Sequence, residues 1–368
     1  MPLERGALSF QILRTAGHLP PDMVDRLAAR AAPPLDRAGT QRLLGWVTGR
    51  HLLDTHIHEE ALAIAGYYRL TLRETFKRIP PALLRAECRM EELAAMAASD
   101  REVLPARERR AIRESIEERL LPRMPPQLHG IPLLCPRSGG EVFAGTLSSG
   151  RTDRLCAFFQ STTGVALYPL TPERQALEDH RVDVRDWPGA SFSPDIDPEH
   201  GQAVPGREFL TWLWYASERP EEVREILPER IRGLMIEGPL QFIHEGEGAH
   251  EITIRRGNPV GSAEARLALL SGKQLRRAKV SLALPAPDTY SFVWDADSGG
   301  FRQLVLPEIR ERLDARSLFE ERIRMLETFR EVFRDLYACY LRQRADRSAW
   351  SASLAALHRW VREQAALR

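Results

Sequence analysis

The stretch Gly206-Arg207-Glu208-Phe209-Leu210-Thr211-Trp212-Leu213-Trp214-Tyr215-Ala216-Ser217-Glu218 puts Phe209, Trp212, Trp214 and Tyr215 within a few helical turns. Phe209, Leu210, Leu213 and Trp214 recur at i, i+3, i+4 spacing, while Trp212 and Tyr215 occupy other sides of the same helix. A helix that is apolar nearly all round has to be buried between two bodies of protein. It is expected to join an N-terminal half to a second set of strands over about 231–306. The tryptophans could instead form a platform for stacking bases. Core packing is the reading favoured by the general burial of large aromatics.

A chain of 368 residues can bury a sizeable core and has room for two or three units. With 43% hydrophobic and 28% charged residues it reads as an ordinary globular protein, not a disordered or fibrous one. Lys77, Lys273 and Lys279 are the only lysines, so the positive charge is nearly all arginine. The net charge of +1 conceals an asymmetry: residues 171–251 carry 18 acidic residues against 8 arginines, a net −10, which leaves +11 elsewhere. An acidic block beside a basic remainder suits a chain that holds a polyanion on one surface, and a solvated acidic flap explains the block equally well.

Cys88, Cys135, Cys156 and Cys339 are far apart, with no Cys-x-x-Cys pair, so neither a zinc ribbon nor a redox motif is expected and a reducing cytoplasm fits best. The first residues include Glu4 and Arg5 and lack the apolar core of a signal peptide. The uncharged run 155–172 is broken by Gln160, Ser161, Thr162, Thr163 and Gly164, and reads as a helix then a strand, not as a membrane span.

Taken in order, strands are predicted over 7–14, 43–48, 61–72, 128–135, 141–146, 165–170, 231–237, 240–244, 250–255, 275–284, 289–294 and 301–306. Helices are predicted from Pro20-Pro21-Asp22 to about Ala32, from Pro80-Pro81 to about Ala98, from Leu104 or Pro105 to Leu121, over 151–163, and from a Ser262 N-cap to about Ser271. Elements that are mixed without strict alternation indicate an α+β fold with largely antiparallel sheets, a charged helical hairpin and a C-terminal helical segment. The expected organisation is an N-terminal α+β region over 1–170 with the hairpin at 80–121, an acidic proline-rich linker or flap over 171–205, a second α+β region over 206–307, and C-terminal helices over 308–368. Phe319, Ile323, Leu326, Phe329, Phe333, Leu336 and Tyr340 step by three or four along one long amphipathic helix, and Leu354, Leu357 and Val361 mark a shorter one. The long stripe either packs on its own body or pairs with another subunit.

Two basic groups are candidates for phosphate contacts. Lys77, Arg78, Arg85 and Arg89 approach and enter the first hairpin helix, and Arg107, Arg109, Arg110 and Arg113 lie on the second, interleaved with Glu108, Glu114, Glu117 and Glu118. A mixed-charge face of this kind is most often simply solvated. The cleaner cluster is Lys273, Arg276, Arg277 and Lys279, with no acid between Glu264 and Asp288, and it reads either as a phosphate-contacting strand or as a charged edge that blocks aggregation.

Histidines offer a different chemistry. His56 and His58 would share one face of an extended segment beside Asp54 and Glu59, and His244, Glu245, Glu247, His250 and Glu251 form a second such neighbourhood. Neither completes a zinc-enzyme signature, so no metal and no cofactor is expected.

Several segments in order carry a resemblance: Leu44-Gly45-Trp46-Val47, the strand region 61–72 leading into Ile79-Pro80-Pro81, Leu120-Leu121-Pro122-Arg123, Val165-Ala166-Leu167-Tyr168-Pro169-Leu170, Leu210-Thr211-Trp212, and 274–306. Together they resemble the bacterial recombination-associated RdgC family. The resemblance implies a non-catalytic protein that binds double-stranded DNA without sequence preference, closes as a homodimeric ring around it, and restrains RecA-driven strand exchange at the nucleoid. It implies further that the hairpin arginines and the Lys273 to Lys279 cluster line the hole. Where it implies an aromatic subunit contact after Arg123, this chain has Met124-Pro125-Pro126.

Two other functions compete. A metal-dependent nuclease would use the histidine neighbourhoods, but no spaced carboxylate motif announces a two-metal site. A protein-interaction scaffold would use the long C-terminal helix. The sequence contains neither a Walker A loop nor a Gly-x-Ser-x-Gly elbow.

Overall fold

Leu8–Thr15 forms β1, the strand on which the two halves of the chain meet. The computed structural model describes residues 3–196, 202–244, 251–285 and 288–365. After β1 come the strands β2 Leu43–Thr48, β3 Ala63–Ile64, β4 Tyr67–Phe76, β5 Gln127–Pro136, β6 Glu141–Ala144 and β7 Leu167–Pro169. The second half supplies β8 Gly233–Ile243, β9 Glu251–Ile254, β10 Gln274–Ala283, β11 Thr289–Asp295 and β12 Gly300–Val305. The helices are α1 Met23–Ala29, α2 Glu59–Leu62, α3 Pro81–Ser99, α4 Ala106–Leu120, α5 Ser149–Thr163, α6 Pro172–His180, α7 Pro205–Glu218, α8 Pro220–Val223, α9 Ala263–Leu270, α10 Ala315–Ala345 and α11 Arg347–Ala365.

The strands join one 12-stranded sheet in the order β2-β4-β5-β6-β1-β12-β11-β10-β8-β9, with β3 beside β4 and β7 beside β1. This is the expected α+β architecture, and the pairings between these strands are antiparallel. Gln11 to Arg14 pair with β6, while Leu8 and Phe10 pair with β12. Because strand side chains alternate between faces, Phe10 and Ile12 enter the core under α7 and α10, and Leu13 enters the core under α1 and α5. One strand thereby ties both halves together. Among the described residues no helix is long and apolar enough to cross a membrane.

The aromatic segment forms α7 and is buried along nearly its whole length. Phe209 meets Trp294, Phe333 and Tyr337 edge-on at 5.4, 5.7 and 5.0 Å, and Trp214 meets Trp360 at 5.2 Å. The helix therefore lies between the second half of the sheet and the C-terminal helices, not between the N-terminal half and the later strands as expected. Trp212 and Trp214 are fully buried, which leaves no ring face for a base to stack on. Gly206 has to be glycine, since a Cβ there would come within 1.9 Å of the Ala296 carbonyl oxygen.

The α10 stripe packs on the protein's own body. Phe319, Ile323, Leu326, Phe329, Phe333, Leu336 and Tyr340 are all buried, and Phe329 and Phe333 meet Phe292 and Phe301 of the sheet at 4.9 and 5.0 Å. The same helix reaches the first half, where Arg330 Nε donates to Glu141 at 2.7 Å and Glu327 accepts from the Tyr67 hydroxyl at 2.8 Å. The apolar stripe of this helix is thus closed to a partner protein.

Three local expectations change. Residues 61–72 are not one strand, because Ala65 and Gly66 both adopt positive φ, 46° and 81°, and make the two-residue turn that joins β3 to β4. The strands expected over 231–237 and 240–244 are the single strand β8, with Gly238-Pro239 at an irregularity in its pairing to β10 that absorbs the missing amide. The segment 171–205 carries helix α6 and buries Val184, Ala190 and Phe192 in the main core. Two of its acids are used internally: Arg14 donates to Glu178 at 2.9 Å and to Asp179 at 2.6 Å.

Candidate nucleic-acid interface

Helices α3 and α4 form an arm between β4 and β5. Pro81 opens α3 and Pro105 precedes α4, each at a position where a missing amide costs no helical hydrogen bond. Asp100, at φ 49°, ends α3 in the left-handed conformation. No α3 residue is buried, and the arm has a small core of its own in which Ile79, Ile116 and Leu120 are surrounded by Leu83, Leu84, Cys88, Ile112, Leu121 and Met124. An arm with so little apolar burial presents most of its surface to solvent.

The predicted contact residues on this arm are exposed, apart from Lys77, which is half-buried. Lys77 Nζ donates to the Pro122 carbonyl at 2.8 Å, fastening the start of the arm to its end. Arg110 and Arg113 pair with Glu114 and Glu117, each at 2.8 Å, and Arg89 approaches Glu92 at 3.7 Å. These i,i+3 and i,i+4 contacts are open to water, and such pairs hold their partners weakly. Among the described residues Arg78, Arg85, Arg107 and Arg109 make no side-chain hydrogen bond or ion pair. Their charge is available to an external anion.

At the root of the arm a groove of about 810 Å³ includes Lys77, Arg78 and Arg113 in its wall, with Phe76 and His129 on the sheet side. Arg42, which the sequence did not single out, also lines it and stacks on Phe76 at 4.5 Å. The signal for Arg42 is the β2–β4 register, which sets Leu43 opposite Thr75 and so brings Arg42 to the end of β4. Glu114, Glu117 and Glu118 line the opposite wall, so the groove is mixed in charge, and the arm as a whole is balanced, with 8 arginines against 9 acidic residues over 81–121.

The Lys273 to Lys279 cluster sits on β10, five strand steps from β5, about 24 Å in strand spacing alone. It is not the open cationic row expected from the chain. Arg276 pairs with Asp297 at 2.9 Å, Arg277 donates to Asp295 and also to Gln241 at 3.0 Å, and Lys279 donates to Glu237. Lys273 Nζ donates to the Ser271 hydroxyl at 3.2 Å. The neutralising acids come from β8, β11 and the loop after β11, which are distant in sequence from the stretch that looked acid-free.

The histidines do not converge. His56 is 92% exposed, with its ring 3.8 Å from Asp54, whose other carboxylate oxygen accepts from Thr48 at 2.5 Å. Among the described residues no group of three His, Cys, Asp or Glu side chains is placed to hold a metal ion. Glu245, Glu247 and His250 of the second neighbourhood lie outside the described residues. Burial pushes the Cys135 thiol up to about 12 and the Cys156 thiol up to about 11, away from nucleophilic character. No family model matches the chain, and no curated protein is similar to it.

Proposed function

We propose that the protein binds double-stranded DNA without reading its sequence and without catalysis, through the unpaired arginines of the α3–α4 arm and its root. The observation that carries this reading is the set of arginines, Arg78, Arg85, Arg107 and Arg109, that are exposed and have no internal partner among the described residues. Guanidinium groups on a protruding arm contact phosphate oxygens with strong, charge-assisted hydrogen bonds, and such contacts position a duplex without distinguishing its bases. Within the Lys273 to Lys279 cluster, Arg276, Arg277 and Lys279 are ion-paired, and the cluster plays a lesser part than the resemblance implies.

The order of RdgC-like segments extends the proposal to a homodimeric ring at the nucleoid that modulates RecA-dependent recombination. The competing scaffold reading loses its main support, because the apolar stripe of α10 is buried against the protein's own sheet. Gel-shift competition between duplexes of unrelated sequence, run beside a solution mass measurement, tests the proposal. Equal competition by all duplexes and a dimeric mass are expected. A strong preference for one sequence, or no retention of duplex at low salt, contradicts it.

A further inference from the structure

A second cavity lies where the end of β2, the start of β4 and the first turn of α10 come together. It measures about 360 Å³ and is lined by Arg5, Arg50, Arg69 and Arg316, by Glu4 and Glu60, and by a patch of apolar wall including Phe319. Its volume falls within the roughly 300–1,000 Å³ usual for small-molecule sites. Four arginines on so small a surface demand an explanation in terms of what balances them.

Two are balanced internally. Arg69 donates to Glu4 at 2.7 Å and stacks on Phe319 at 5.1 Å, and Arg316 donates to Glu320 at 3.1 Å. Gly49 leaves the room that the Arg69 stem occupies, since a Cβ there would meet Arg69 Cγ at 2.2 Å. Arg69 is therefore held in one place. Arg5 and Arg50 are exposed, and their side chains make no hydrogen bond or ion pair among the described residues. The remaining acid on the cavity wall is the Glu60 carboxylate, and outside the lining the charge of Arg50 also acts on Asp54. Burial, aided by the charge of Arg50, holds the Arg69 guanidinium below its ordinary range despite Glu4. With Glu320 counted beside Arg316, four guanidinium groups meet three carboxylates, Glu4, Glu60 and Glu320, which leaves an excess of positive charge on the cavity wall. The α10 amides are not the attraction, because Asp314 Oδ1 already accepts from Arg316 N and Ser317 N at 2.9 and 3.1 Å.

We propose that this cavity binds a phosphomonoester dianion, the chemistry shared by a free mononucleotide and a 5′-phosphorylated DNA end. Arg5 and Arg50 supply forked donors to the terminal oxygens, Arg69 supplies fixed positive charge behind them, and the apolar wall takes the organic part of the ester. This does not rest on duplex binding by the arm, which involves phosphodiesters and different residues.

The test is isothermal titration of the full chain with inorganic phosphate and with adenosine 5′-monophosphate, in the wild type and in Arg5→Gln and Arg50→Gln. Both substitutions replace exposed groups without internal partners, so the melting temperature should not change. Binding of the monophosphate by the wild type, weakened about tenfold or more in each variant, is expected, the scale of losing one hydrogen bond between charged groups. Absence of binding to either ligand, or variants that bind as the wild type does, overturns the proposal. Blunt duplexes with 5′-phosphate and 5′-hydroxyl ends identify the source. An Arg50-dependent preference for the phosphorylated end assigns a DNA terminus, and equal affinity for the two ends with retained monophosphate binding assigns a free ester. Arm variants that lose duplex but keep the monophosphate separate this site from the arm.

Discussion

Arg277 faces Asp295 across the β10–β11 ladder and donates its Nε–H to that carboxylate. Asp295 is 3% exposed and also accepts from the backbone amides of Asp297 and Ser298, each at 3.2 Å. Burial alone pushes the carboxyl up, but the Arg277 charge and these hydrogen bonds outweigh it and hold Asp295 below the usual carboxylate range. A residue that reads in the chain as part of a phosphate-binding row is thus the counter-ion of a buried acid.

Arg277→Gln should accordingly act on stability. Leaving Asp295 buried without its cation is expected to cost about 1–3 kcal/mol, less than for a fully buried pair because Arg277 is itself partly solvated. Urea unfolding of the variant measures this, with duplex affinity expected to remain within about twofold of the wild type. Intact stability with reduced affinity would return β10 to the binding surface.

The same pair sets a pH dependence. Since the folded pKa of Asp295 is depressed, its contribution is fully present above the unfolded value of about 3.9 and is lost as pH falls through the folded value. Glu141, held down by Arg330 and Arg14 against the upward push of burial, behaves in the same way. Thermal melts between about pH 5 and pH 3 should show the wild type losing stability more steeply than Asp295→Asn. Parallel curves would remove Asp295 from the acid limb.

The contrast between α7 and β10 shows what the chain makes legible. Phe209, Trp212 and Trp214 announce burial by composition alone, because no solvated helix carries so much aromatic surface. Arg85, Arg107 and Arg109 are legible as exposed charge because local helix pairing decides which neighbours neutralise them. Arg277 and Lys279 are not, because Asp295 and Glu237 become their neighbours only through sheet register. Arg5, Arg50, Arg69 and Arg316 escaped for the same reason: only the fold brings these distant positions around one cavity. The expected flap at 171–205 misled because an acidic, proline-rich composition does not reveal that Arg14 and Arg330 engage Glu178 and Asp179.

Helix α11 buries Trp350, Leu357, Trp360 and Val361 in the main core. Trp360 packs against Trp214, lies under the Arg266 guanidinium at 3.7 Å, and donates its indole N–H to Glu218 at 2.9 Å. Trp360→Ala should cost about 3–5 kcal/mol, as for other buried aromatic truncations. Guanidinium unfolding followed by far-ultraviolet circular dichroism checks this, and a loss below about 1 kcal/mol would mean that α11 docks without this contact.

The central claim, that the arm holds duplex DNA by its unpaired arginines, is tested most directly by the salt dependence of binding. Log affinity against log salt concentration should be measured for the wild type and for Arg78→Gln, Arg85→Gln, Arg107→Gln and Arg109→Gln combined, after confirming an unchanged melting temperature. Each phosphate that is no longer neutralised lowers the slope by about 0.9, so the combined variant should be shallower by about 3 to 4, alike on duplexes of unrelated sequence. A slope that does not change when all these arginines are removed contradicts the account.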